Sequence, residues 1–388
     1  MIKKIVQYIE LDNVGLLELI FSAYIILCGY KMPISSSVLV VLIMNILAMQ
    51  RKHLYQNSLT KPIWILTIFI VVHDILFIPF APDVPNGFLN GLIANIVLLC
   101  SVPWILSAID IGKLKGSLNW IAIISVLGML YHSVEIFYGR NPQVLTIPFF
   151  PFPIGHDNYA TELFRPTSFY VEPQAFVSFI LIPLFISLRE KKYIWSAILA
   201  LSLLISTSTT GIFTTFGMIA IYAISQNIGK KNMFLVCVFG FLLYYIFISA
   251  GIFSLGIDKL ENTDFATSVR VAQGKNIVGT MDISEFILGA PYLNSAQYCT
   301  HRGLSTLIEG DIAFMSTFWY LLLRFGVVGL VLYVMPFFNA SAQNKTVIPY
   351  TAIYFITMFS NPDAIGGFYV FAVICTLALA KPENKFEK

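Results

Sequence analysis

Apolar residues in this chain run in long blocks separated by short polar interruptions. They show neither the two-residue alternation of a strand nor the one-sided stripe of a soluble helix. A helix needs about 20 mostly apolar residues to cross a bilayer. Blocks near that length occupy 14–30, 34–49, 62–80, 88–109, 118–138, 168–188, 193–206, 211–226, 233–255, 312–338, 347–360 and 365–380. The pattern predicts an all-α, polytopic membrane protein of roughly twelve transmembrane helices, with 1–388 as a single transmembrane domain. Two interruptions are longer than the others, 139–166 and 256–311. They are expected as large loops on one face of the membrane.

Composition strengthens this reading. The chain is 57% apolar and 12% charged, against about a quarter charged in an average soluble protein. A formal net charge of +3 is too small to argue for nucleic acid. The five cysteines, Cys28, Cys100, Cys237, Cys299 and Cys375, show no paired spacing, so neither a disulfide framework nor a zinc site is indicated. The first residues, MIKKIVQYIELDN, are amphipathic without a small-residue cleavage site, and read as retained. There is no internal repeat.

The position of the charges sets the expected orientation. With the N-terminus inside, every cytoplasmic segment is basic: Lys3 and Lys4; Arg51, Lys52 and Lys61; Lys113 and Lys115; Arg189, Lys191 and Lys192; Lys230 and Lys231; Lys345; and Lys381, Lys385 and Lys388. The short loops on the other side are neutral or acidic, as in 79–86 with Asp83. This places both termini in the cytoplasm and both long loops outside.

The first long loop contains IPFFPFP, which cannot be helical because proline lacks the amide donor and clashes with the preceding turn. It suits an aromatic wall on the membrane surface. It runs into FRPTSFYVEPQAF, where Arg165 and Glu172 lie seven apart and would share a face if that stretch were helical. The simpler reading is interfacial anchoring, with Arg165 snorkelling and Tyr170 in an aromatic belt. Against it, Glu172 falls inside the apolar run, where an unpaired carboxylate is expensive, and Pro173 follows directly.

The second loop carries Arg270, Lys275, His301, Arg302 and, at its end, Asp311. Arg270 with Arg165 would make a two-pronged grip for a diphosphate, since guanidinium bonds bidentately and keeps its charge. Lys259, Lys275 and Arg302 compete for that role; the bland alternative is a solvated surface charge. His301 and His156 are the histidines of the two loops, each a candidate general base or phosphate donor, or an ordinary exposed side chain. His73 and Asp74 in the third block and Glu135 in the fifth are intramembrane candidates or structural pairs. Arg324, placed past the midpoint of the tenth block towards the cytoplasm, reads as structural or as lipid-facing by snorkelling. No metal-ligand spacing, Walker loop, GxGxxG after a strand or HExxH occurs, so no cofactor is expected.

Three local patterns in order resemble the bacterial O-antigen (Wzy-type) polysaccharide polymerases, relatives of the O-antigen ligases. They are Arg165-Pro-Thr-Ser-Phe-Tyr-Val-Glu172-Pro173, the Ser206-Thr-Ser-Thr-Thr-Gly211 turn, and Phe286-Ile-Leu-Gly289 followed by Asp311 and a helix ending Phe325-Gly326-Val-Val-Gly329. The resemblance implies a GT-C-like membrane glycosyltransferase of the bacterial inner membrane. It would join oligosaccharide repeat units carried on undecaprenyl diphosphate at the periplasmic face, for lipopolysaccharide O-antigen biosynthesis. The growing chain would pass to the non-reducing end of a new unit. Catalytic roles would fall to Arg165, Glu172, Arg270 and His301; substrate contacts to Tyr170, His156, Lys275, Arg302 and Asp311. Membrane lipids and a chain-length regulator would be partners, and no metal is needed if guanidinium groups neutralise the leaving group. An O-antigen ligase and a lipid-linked oligosaccharide flippase are the competing readings.

Overall fold

A computed structural model describes residues 14–51, 58–81, 84–140, 143–148, 150–154, 166–206, 208–226, 274–293, 295–304, 315–360 and 365–381. His156, Arg165, Arg270, Asp311 and the expected span 233–255 lie outside these residues. The described chain is helical: α1 (Leu16–Ser22), α2 (Tyr24–Leu27), α3 (Ser36–Met49), α4 (Lys61–Phe77), α5 (Phe88–Ala108), α6 (Ile111–Phe137), α7 (Pro173–Arg189), α8 (Tyr193–Ile205), α9 (Thr209–Ser225), α10 (Gly274–Val278), α11 (Ile283–Leu288), α12 (Ser295–His301), α13 (Thr317–Gln343), α14 (Ile348–Met358) and α15 (Gly367–Ala380). Among the described residues there is no strand, only one isolated bridge between Tyr30 and Ile154. Among the described residues four helical segments are long and apolar enough to cross a membrane: Ser58–Phe80, Phe88–Ala108, Ile111–Phe137 and Thr317–Gln343.

The helix ends follow from local chemistry. Pro62 sits in the first turn of α4 and Pro173 in that of α7, where a missing amide is harmless. Asp110 caps α6 by accepting from the Lys113 amide at 2.8 Å. Ser208 caps α9 through the Gly211 amide at 3.4 Å. Asp282 and Glu285 form a reciprocal capping box on α11, which stops at Gly289 with φ 96°.

The face pattern of α4 is the reverse of a soluble helix. Ile63, Leu66, Ile70, His73 and Asp74 are buried on one side, while Ile65, Ile68, Val72, Ile75 and Leu76 are exposed on the other. Both sides recur at helical spacing. The polar groups are inside and the hydrocarbon is outside, with Leu76 61% exposed and Asp74 only 3%. Such an outer surface suits lipid, not water.

The chain divides into two compact units, residues 1–50, 108–262 and 348–353, and residues 51–107, 263–347 and 354–388. In the first, α6 and α7 run antiparallel. Lys115, in the first turns of α6, meets Glu190 just past α7 at 3.1 Å, while the turn before α7 bonds His132 near the other end of α6. In the second, α4 and α13 are antiparallel. Asn339 and Gln343 at the end of α13 donate to the Ser58 carbonyl and hydroxyl at 3.1 and 3.2 Å. Asn344 reaches the Leu379 carbonyl, and the Lys381 ammonium donates to the Leu106 carbonyl. Lys61, Lys345 and Lys381 therefore share one end of the second unit.

Candidate functional site

The chemistry of the second unit gathers at the end away from those lysines. α10, the strip 290–292 and α12 pack there on the start of α13 through Ile277, Val278, Ala290, Tyr292, Tyr298, Cys299, Met315, Leu322 and Leu323. Arg302 closes the cluster. Its Nη2 donates to Asp282 Oδ2 at 3.1 Å and to Glu285 Oε2 at 2.7 Å, and its guanidinium carbon lies 5.6 Å from the Tyr298 ring centroid. The bonds from the two carboxylates raise the Arg302 pKa still further, so it carries its charge at any working pH. Tyr298 and the Thr280 hydroxyl are 2.9 Å apart. The Tyr292 ring lies between Tyr298, at 5.5 Å, and His301, at 5.3 Å. Burial raises the phenol pKa of both tyrosines and that of the Cys299 thiol, to about 11 in the last case. His301 and Lys275 are exposed.

Beneath this cluster α13 is broken. Gly326, with φ 62° and ψ −168°, interrupts the helix. Gly289, with φ 96°, lies directly against the break. A Cβ on Gly326 would stand 2.3 Å from the Ile287 carbonyl oxygen, and one on Gly289 would stand 2.4 Å from that of Arg324. Only glycine permits both this backbone-on-backbone approach and the left-handed φ. The strip 288–292 is then tied down in three places. His73 Nε2 donates to the Leu288 carbonyl at 3.0 Å. The Ala290 amide donates to the Leu323 carbonyl at 2.8 Å, a partner available because the helix is interrupted just beyond it. Arg324 Nη1 donates to the Tyr292 carbonyl at 2.7 Å, and its Nη2 to Asp74 Oδ1 at 2.7 Å.

Of the two readings of Arg324, the structure shows the structural one and not the snorkelling one. It is 5% exposed and buried beside Asp74, so it does not snorkel to lipid. It also stands near the start of α13, not past its midpoint, because the helix begins at Thr317. His73 and Asp74, singled out as intramembrane groups, are both drawn into this network, with Nδ1 3.2 Å from Oδ1. Hydropathy places Arg324 inside an apolar span but gives neither its depth nor its partner; nothing in the sequence pairs it with Asp74.

In the first unit the helix expected to carry Glu172 on a face shared with Arg165, itself outside the described residues, is not seen over 166–172. The described residues 166–172 are not helical, and Glu172 is extended, with φ −144° and ψ 156°, as the N-cap of α7. Pro173 disfavours a helical conformation in the residue before it, and Ser168 has φ 57°. This turn is pinned to α6. His132 Nδ1 accepts from the Thr167 and Ser168 amides, both at 3.2 Å. The Ser168 hydroxyl donates to the Ser125 carbonyl at 2.8 Å, and Ser125 Oγ meets the Tyr170 hydroxyl at 3.0 Å. Tyr170, expected at a substrate surface, is 1% exposed among Phe176 and Phe179. Its geometry holds the turn that presents the partly exposed Glu172. The aromatic segment behind it rests on Tyr30, whose hydroxyl accepts from the Ile147 amide at 2.8 Å and whose ring meets Phe150 at 4.7 Å.

Of the sequence-nominated residues, Arg302 and His301 come together in one cluster around Tyr292 and Tyr298. Lys275 lies on neighbouring α10 with its side chain exposed, and Glu172 and Tyr170 belong to the other unit. Among the described residues no group of histidine, cysteine, aspartate and glutamate could hold a metal ion. Comparison with models of protein families, with curated proteins and with solved structures finds no match to this chain.

Proposed function

We propose that the protein is a membrane glycosyltransferase that polymerises lipid-linked oligosaccharide repeat units on the outer face of a bacterial plasma membrane. The donor and acceptor would be carried on undecaprenyl diphosphate. The observation that carries this reading is the polar, ring-lined cluster of residues 282–302, set at the end of its unit opposite Lys61, Lys345 and Lys381. With lysines marking the cytoplasmic side, that cluster faces outward, where a sugar acceptor and a diphosphate leaving group would meet it. Two stretches on which the family resemblance rests, Phe286–Gly289 and Phe325–Gly326, also pack against each other through their glycines.

The chemistry asked of the site is modest. Cationic groups stabilise charge developing on the diphosphate, a role assigned to Arg165 and Arg270. Glu172 or His301 takes the proton of the acceptor hydroxyl. Because Arg302 is held by Asp282 and Glu285, its part is to hold the cluster together, leaving phosphate contact to the other cations. A chain-length regulator and membrane lipids are the proposed partners.

The test is polymerisation of purified lipid-linked repeat units in proteoliposomes. Arg165→Ala, Arg270→Ala and His301→Ala are expected to abolish ladder formation, and Lys259→Ala to leave it near normal. Equal ladders from all four would remove the diphosphate grip. An O-antigen ligase would instead transfer chains to a lipid A core acceptor. The broken α13 beside a buried Asp74–Arg324 pair favours one further reading, since interrupted helices with intramembrane charges are common in transporters. Translocation of a fluorescent lipid-linked sugar without any polymer would establish that alternative.

A further inference from the structure

The sequence assigns residues 256–311 to a loop outside the membrane, yet part of this stretch is anchored well below the helix ends. The helical segment Ser58–Phe80, which contains α4, runs antiparallel to α13, so Phe80 and Thr317 mark one end of both. Arg324 lies about 10 Å along the axis from Thr317, and Asp74 about 9 Å from Phe80, at 1.5 Å per helical residue. The chain at Leu288–Tyr292 is bonded to His73 and Arg324 at that depth. The two short helices on either side have matching lengths. α11 rises about 9 Å and α12 about 10 Å, and Arg302, just past α12, is bonded to Asp282 and Glu285 at the head of α11. The segment is thus a hairpin, bridged by charges at its upper end and fixed to the break in α13 at its lower end.

Its outer face is apolar and left open by the described residues. α11 buries none of its residues. Ile283 is 81% exposed and Leu288 51%, with Phe286 and Ile287 also open. Positions 283, 286 and 287 share one helix face. At its lower end α11 meets α4 through His73, whose helix exposes Val72, Ile75 and Leu76 on its outer surface. Asp282, the cap of α11, and Glu285 in its first turn are bonded to Arg302.

We propose that residues 282–302 form a re-entrant hairpin, with the Ile283–Phe286–Ile287 face of α11 seated among lipid acyl chains and the Asp282–Glu285–Arg302 bridge at headgroup level. Irregular backbone is tolerated at membrane depth only where protein buries its polar groups. The three bonds to His73, Leu323 and Arg324 satisfy the Leu288 and Tyr292 carbonyls and the Ala290 amide in this way. The hairpin is independent of whether the protein joins or moves glycans, since it rests on depth and exposure alone.

The test uses the full chain in phosphatidylglycerol–phosphatidylethanolamine proteoliposomes. A cysteine-substituted parent receives single spin labels at 283, 286 and 287, with Ile68 of α4 as the lipid reference and Lys275 as the water reference. Collisions with oxygen are expected to exceed those with a water-soluble nickel chelate at the three hairpin positions, as at 68, and to be reversed at 275. Nickel-dominated collisions at 283–287 would return the segment to water and overturn the hairpin. Low access to both reagents would mean a second protein surface covers it, which also overturns the lipid contact. Photolabelling of the unmodified protein with a diazirine-tailed phospholipid reads the same face without substitution. Adducts are expected in 283–288, and adducts on α4 without any there would refute the proposal.

Discussion

Asp74→Leu isolates the Arg324 guanidinium inside the second unit. In the parent protein Arg324 is 5% exposed and has two partners at 2.7 Å, Asp74 Oδ1 and the Tyr292 carbonyl. Removing one member of a buried ion pair costs about 3–5 kcal/mol, because the other charge stays desolvated. That corresponds to roughly two to nearly four orders of magnitude in the unfolding equilibrium, at about 1.4 kcal/mol per factor of ten. The converse substitution, Arg324→Leu, is expected to be milder. A carboxyl deprived of its cation can neutralise by taking a proton, whereas a guanidinium cannot. Its residual effect comes mainly from the Tyr292 carbonyl, left without its donor, at about 1–3 kcal/mol.

The double variant Asp74→Leu/Arg324→Leu separates a charge effect from a packing effect. It removes both charges together, so it should be more stable than Asp74→Leu alone and close to Arg324→Leu. The assay is a denaturant titration in mixed micelles, following helicity and intrinsic fluorescence, with the variants compared at one detergent fraction. Additive losses would refute the argument, since two independent contacts add and a broken charge pair does not. Neutral single variants would refute it equally, by showing that water reaches the pair.

Three further outcomes follow from the same geometry. Gly326→Ala should destabilise far more than Gly303→Ala in that titration. Both glycines have positive φ, but a Cβ at 326 meets the Ile287 oxygen at 2.3 Å and one at 303 meets nothing within 4 Å, leaving only the left-handed penalty of about 1–2 kcal/mol. Cys299, fully buried with its thiol pKa raised to about 11, should resist maleimide at pH 7.5 in a variant lacking the other cysteines, and react promptly after denaturation; rapid native labelling would contradict its burial. Glu190 contributes a pH dependence: burial alone would raise its carboxyl pKa, but bonds and charge from Lys192 and Lys115 hold it below the usual value. Its folded pKa is the lower one, so its contribution is present above the unfolded carboxylate pKa and fades as pH falls through the folded value. Lys115→Met should flatten the stability profile across that acid window, and an unchanged profile would show that Lys192 alone sets the shift.

How much of this was legible beforehand depends on the length scale of each feature. Long apolar blocks gave the helical class and most helix positions, because burial in lipid imposes a 20-residue signature on sequence. Helix starts were less visible. Block 168–188 begins five residues early, because Thr167–Val171 is as apolar as a helix but is held as a turn by Ser168, Pro173 and His132. Block 312–338 misplaces Arg324 for a related reason: hydropathy does not register that Ser316 is the cap. Tyr170 looked like an interfacial ring, and only tertiary packing shows it enclosed with its hydroxyl on Ser125.

The second unit shows why a candidate site can hide in a chain that is easy to classify. Asp74 and Arg324 are 250 positions apart, and each alone is an ordinary intramembrane charge with several possible fates. What selects their pairing is the antiparallel contact of α4 and α13, and what gives it a purpose is the strip 288–292 laid across the gap at Gly326. Hydropathy windows cannot find that strip, since α11 and α12 are each about one-third of a spanning length. The turn residues between them, Gly289 and Pro291, and the charged positions on either side mark the whole region as loop. Yet the two glycines, the capping box and the apolar spacing of 283, 286 and 287 are all present in the sequence. They become informative together only once the helix break fixes how deep the turn lies, because depth decides whether an exposed isoleucine faces water or hydrocarbon.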